Sequence, residues 1–130
     1  LKANGKLPSG EKISDVICKI TNYNIIGLLL SCVSPEIILQ ASTELNQLKI
    51  PYGFKANFWK INEPLPHTAW IKSPHQIGTN PSEVLGTRED YTEEMFLNFV
   101  NKMINEGATI IGGCCEVKPK HIKKISHLSN

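Results

Sequence analysis

Arginine is all but missing from this 130-residue chain, with Arg88 its single representative. Lysine and arginine together number 14 against 12 acidic residues, a formal charge of +2, and the two signs are interspersed. Without a basic stripe or an arginine cluster, nucleic-acid binding is not expected. Long apolar runs are missing too. The longest, residues 25–30, is broken by Gly27 and falls far short of the roughly 20 residues a membrane-spanning helix needs. The first residues lack the apolar core and cleavage site of a signal peptide. Leu1 stands where an intact translated chain carries Met, which points to a piece of a longer protein. There is no internal repeat. What remains is a chain 41% hydrophobic and 20% charged, the composition of one globular domain with a real core.

Four cysteines are present. In a chain without secretory features they read as metal ligands or catalytic thiols rather than a disulfide framework, and a cytoplasmic location is expected. Cys18 falls beside the apolar stripe Ile13, Val16, Ile17 and Ile20, which recurs at helical spacing over residues 12–21. It is expected to be a small, at least half-buried apolar residue. The other three cysteines lie at the ends of apolar runs.

The run 25–30 reads as a strand buried on both faces, with Ser31 and Cys32 at its end. Ser34 and Pro35 then suit the N-cap and first turn of a helix reaching about residue 49, with Ile37, Ile38, Ala41, Leu45 and Leu48 inward. Residues 52–57 form a weaker strand. Residues 58–91 show no periodicity and carry Pro64, Pro66, Pro74, Pro81, Trp59, Trp70, His67 and His75, as an ordered, pocket-covering loop would. Thr92 caps a helix opened by Glu93 and Glu94, with Met95, Phe96, Phe99, Val100, Met103 and Ile104 on its buried side and Gly107 at its end. Residues 109–111 make a third strand, followed by Gly112-Gly113-Cys114-Cys115. A last helix from Pro119 buries Ile122, Ile125 and Leu128 and leaves His121 and His127 at the surface. The alternation predicts α/β architecture, a parallel sheet with helical crossovers.

In such sheets ligands gather at the C-terminal strand ends, where Cys32 and the Cys114-Cys115 pair both fall. Three thiolates around Zn²⁺ with one position open is a catalytic arrangement, since structural sites close the tetrahedron. For adjacent cysteines to reach one ion the chain must turn, and Gly112-Gly113 permits unusual dihedrals. A thiol-rich zinc favours sulfur nucleophiles, because metal coordination deprotonates a bound thiol. A vicinal Cys-Cys pair alone is equally compatible with redox chemistry or simple packing.

The segment Ile-Ile-Gly-Gly-Cys-Cys-Glu-Val-Lys-Pro-Lys-His-Ile, residues 110–122, resembles the zinc-binding signature of the homocysteine S-methyltransferases. Residues 27–36, ending Ser-Cys-Val-Ser-Pro-Glu, resemble the site of that family's first zinc cysteine, and Tyr-Gly-Phe-Lys-Ala-Asn, residues 52–57, resembles an intervening strand. The likeness spans nearly the whole chain. It implies a (β/α)₈ TIM barrel, of which residues 1–130 supply about the last three β/α units, since a full barrel takes about 250 residues. It also implies Cys32, Cys114 and Cys115 as zinc ligands, Asn57 as a substrate-pocket residue, and methyl transfer to homocysteine from a donor such as S-methylmethionine or betaine in methionine biosynthesis. Two departures stand out. Ser31 occupies a position where many members carry Asn, and the family's early strands with their Asp-Gly-Gly region are absent. The chain is therefore expected to be inactive alone, and to work with a complementary N-terminal half-barrel or by self-association. A non-catalytic zinc-binding half-barrel is the alternative, with a thiol redox protein behind it.

Overall fold

The computed structural model describes residues 1–20, 22–61 and 81–128. Its order is α1 (Ile13–Ile20), β1 (Leu28–Val33), α2 (Pro35–Leu45), β2 (Tyr52–Ala56), α3 (Pro81–Leu85), α4 (Glu93–Asn105), β3 (Ile110–Gly113) and α5 (Pro119–Ile125), with a 3₁₀ turn at Ser126–Leu128. The three strands are parallel and lie side by side in chain order, β1-β2-β3.

Strand periodicity decides which side chains meet the helices. Leu30, Tyr52, Phe54 and Ala56 point one way and are buried, and Phe54 packs edge-on against Phe99 of α4 at 4.8 Å between ring centroids. Leu29 and Ile110 point the other way and stay 38% and 39% exposed. β1 is therefore not buried on both faces as its apolar run suggests. Among the described residues, its alternating burial shows one face of the sheet covered and the other not.

The helices follow their apolar stripes with some corrections. α2 ends at Leu45, short of residue 49, and Ser34 precedes it without a side-chain capping bond. In α4, Thr92 does cap, its hydroxyl accepting from the Met95 amide at 3.2 Å, and Gly107 follows at a φ of 97°. Phe96, Phe99, Val100 and Met103 are buried as expected, but Met95 is exposed. α5 departs most. His121 is buried and Ile122 exposed, because the imidazole sits edge-on to Phe58 at 5.1 Å and its Nδ1 accepts from the Lys118 amide at 2.8 Å. His127 is at the surface, and so is Cys18, which is not the buried residue its position suggests.

The expected loop 58–91 is ordered at both described ends. Trp59 bridges Thr87, and a short helix not expected from the sequence, α3, begins at Pro81. His67, Trp70 and His75 lie outside the described residues.

Candidate metal centre

At or just past the C-terminal end of each strand stands a residue of the candidate site. On β1 this is Cys32. The register with β2 slips between Ser31 and Val33, and the residue opposite no partner is Cys32, at a φ of 57°. That is a bulge, which breaks the alternation and re-aims a side chain. A left-handed backbone at a residue with a Cβ costs roughly 1–2 kcal/mol. Cys32 thus belongs to the strand's last turn of pleat rather than following it.

On β3 the chain turns at Cys114, whose amide donates to the Ala56 carbonyl at 2.7 Å, while the Cys115 carbonyl accepts from the Phe58 amide at 3.1 Å. The left-handed residue here is Glu116, at a φ of 65°, and neither Gly112 nor Gly113 takes positive φ. Gly113 matters for space instead: a Cβ there would come within 2.3 Å of Val117 Cγ1. Gly113 is needed for close approach and not for the turn itself, whereas a Cβ on Gly112 would meet nothing nearer than 3.5 Å.

These local geometries bring the Sγ atoms of Cys32, Cys114 and Cys115 within 4.8 Å of one another. Cys32 and Cys115 are 3.7 Å apart, Cys114 and Cys115 3.8 Å. A tetrahedral zinc holding sulfurs at about 2.3 Å sets them about 3.8 Å apart, so the spacing fits. It is too long for a disulfide, and all four cysteines are free. The thiols are half-buried, and among the described residues no other group of His, Cys, Asp or Glu has ligand atoms so placed.

Directly after Ala56, the last residue of β2, stands Asn57, which is buried. Its Oδ1 accepts from the Trp59 amide at 3.3 Å, which turns Nδ2 toward Cys32 Sγ at 3.8 Å. Arg88 steadies this corner. Its amide donates to the Phe58 carbonyl at 2.8 Å, and its guanidinium pairs with Glu36 at 2.6 Å and Asp90 at 2.8 Å. Glu36 opens the helix that follows the Cys32 bulge, so the loop carrying Asn57 is tied to the segment carrying Cys32.

The electrostatics set the thiols apart. Burial raises Cys32, and burial with the neighbouring Cys32 sulfur pushes Cys115 up to about 12. Cys114 is also opposed by burial, but hydrogen bonds from Cys32 and Cys115 and the charge of Lys55 bring it below its ordinary value. The protein alone thus does not let all three ionise together. A cation among them would, and the donor set is the soft, all-sulfur one that suits zinc.

The residues expected to share a site, Cys32, Asn57, Cys114 and Cys115, are brought together. The bulge at Cys32 gives no signal in the chain, because no glycine marks it.

No helix among the described residues is long and apolar enough to cross a membrane. The homocysteine S-methyltransferase family model matches residues 1–128. Homocysteine S-methyltransferase 3 of Arabidopsis thaliana is 27% identical over 123 residues, which are 92% of this chain and 30% of the relative. The chain thus spans about a third of the length of that curated protein. No solved structure gives a significant match.

Proposed function

The chain belongs to the homocysteine S-methyltransferase family, and on that premise we propose that it carries the zinc site and part of the substrate pocket for methyl transfer to homocysteine, giving methionine. One observation carries the reading: three thiols from two strand ends lie within 4.8 Å of one another, two of the pairs at tetrahedral-edge spacing. Zinc held by Cys32, Cys114 and Cys115 would supply the positive charge that keeps a substrate thiol deprotonated at neutral pH.

The protein's own groups divide the remaining work. Three protein ligands would leave a bound zinc one coordination position for a substrate sulfur. Asn57 donates to Cys32 Sγ, which holds that sulfur's direction and moderates its charge. The Ser31 position, where many members carry Asn, is exposed here, so the amide donor to the first cysteine comes from β2 instead.

The strand order supports a barrel segment. Doubly wound sheets reverse their order at a switch point, whereas β1, β2 and β3 advance in one direction, as successive barrel strands do. We read the chain as about three β/α units of a (β/α)₈ barrel, its remaining strands supplied by further chain. The free thiols suit a reducing compartment such as the cytoplasm.

Cobalt(II) substitution tests this reading directly. The cobalt-loaded chain is expected to show sulfur-to-metal charge-transfer bands that shift on adding L-homocysteine and not on adding L-methionine. Bands unchanged by homocysteine would contradict an open coordination position.

A further inference from the structure

Among the described residues only Cys32 and Glu116 take positive φ without being glycine, and both stand at the thiol cluster. Glu116 directly follows Cys115. It is the third residue of the turn from Cys114 to Val117, closed by the Val117 amide donating to the Cys114 carbonyl at 3.1 Å. A left-handed residue at that position of a turn is ordinarily Gly, which has no Cβ to crowd the backbone. Local preference thus argues against glutamate, and what its side chain reaches accounts for it.

That side chain reaches Ser82, near the start of α3, whose hydroxyl donates to Glu116 Oε1. α3 is itself well anchored. The Lys60 amide donates to the Gly86 carbonyl at 2.9 Å and the Ile61 amide to the Leu85 carbonyl at 3.1 Å, and Trp59 bridges Thr87. These bonds pair residues 59–61 with 85–87 as an antiparallel stem in which Leu85 is buried. The stem starts from Phe58, whose ring packs against Tyr91, Phe96 and His121. Cys115 is therefore held from two sides. The Phe58 amide donates to its carbonyl at 3.1 Å, and Ser82 holds the next residue by its side chain. Cys115 Sγ is also the sulfur common to both close pairs, 3.7 Å from Cys32 and 3.8 Å from Cys114. Any rotation of the turn that moves this sulfur changes both spacings at once.

We propose that Glu116 and Ser82 are positioning residues for the metal centre, their hydrogen bond holding the Cys114–Val117 turn in its left-handed form and so setting Cys115 Sγ for zinc. The stem and α3 thereby govern how tightly the metal is held without supplying a ligand. This assignment rests on the proposed function, because it takes the three thiols to hold zinc.

The test is zinc affinity of the reduced chain by chelator competition, with the cobalt(II) spectrum and the urea midpoint of the metal-free chain recorded for each variant. Ser82→Ala removes the donor without touching a ligand or its neighbour. It is expected to weaken zinc about tenfold and to shift the cobalt bands, with the metal-free midpoint little changed. Glu116→Gly removes the acceptor while relieving the backbone, and is expected to weaken zinc by a similar factor. Glu116→Gln keeps an oxygen that accepts from Ser82, and is expected to retain most of the affinity. Unchanged zinc affinity in either Ser82→Ala or Glu116→Gly would overturn the assignment while leaving the zinc reading intact. Equal losses in Glu116→Gln and Glu116→Gly would overturn it as well, giving the effect to charge rather than to the bond. So would a fall in the metal-free midpoint large enough to account for the whole loss of affinity. A wild-type chain that takes up no zinc would overturn the assignment together with the reading it rests on.

Discussion

Cys32 takes a backbone conformation that costs a residue with a Cβ free energy, and it does so at the one register slip in the sheet. Such strain persists where surrounding contacts over-determine it, and it gathers at functional positions. Part of that support is Asn57, clamped by the Trp59 amide and aimed at Cys32 Sγ. Groups that orient ligands typically govern metal affinity by one to two decades. Asn57→Ala is therefore expected to weaken zinc binding about tenfold in competition with a chromogenic chelator, and an unchanged affinity would show Asn57 to be a bystander. A second residue makes a pH prediction. Burial holds His121 below its ordinary value of 6.5. Above that value both folded and unfolded chains carry a neutral imidazole, and the contribution to stability is complete. As pH falls below it, the unfolded chain binds a proton that the folded chain still refuses, so stability declines until folded His121 protonates too. Urea midpoints are expected to drop between pH 6.5 and 5, and His121→Gln is expected to flatten that drop. An equal slope in the variant would assign it elsewhere.

Among the elements, β2 is the most constrained, since it lies between both neighbours and places Asn57. A Cβ on Gly53 would fall 1.7 Å from the Ile110 carbonyl oxygen, an overlap only backbone separation relieves. Gly53→Ala is expected to cost about 3 kcal/mol or more, or to prevent folding, as read by thermal or urea melts; a loss below 1 kcal/mol would contradict this packing. Much at this scale is legible in the chain. Thr92 with two glutamates behind it and Gly107 beyond the far end delimit α4 within a residue, because caps act locally. The three strands and α1, α2, α4 and α5 follow from apolar runs and stripes, whereas the short α3 lies in the stretch read as a loop without periodicity. What escapes is set by tertiary contact. His121 is polar by type yet buried, since Phe58 and Phe96 make an aromatic niche for it. Ile122 and Met95 are apolar yet exposed, because the helix turns its neighbours inward. The cysteines could be singled out from strand ends and motif likeness, but the bulge that aims Cys32 could not, as it depends on pairing with β2.

For the whole molecule, the question is what a third of a relative's length can do. β1 and β3 each have an outer edge unpaired among the described strands, and Ile26, Leu29 and Ile110 are exposed apolar residues near them. Unblunted edges recruit other strands. At tens of micromolar the chain alone is expected to elute above its 14.5 kDa monomer mass, and to form no methionine from homocysteine with S-methylmethionine or betaine. A clean monomer with turnover would contradict the reading as a barrel segment. The metal site is a different matter, because all three thiols lie within this chain. Zinc content of the reduced, purified chain by elemental analysis, beside Cys115→Ser, is therefore the most direct test. About one zinc per chain, lost in the variant, is the predicted result. A reduced, folded chain without zinc, or one whose zinc survives in Cys115→Ser, would contradict the thiolate site.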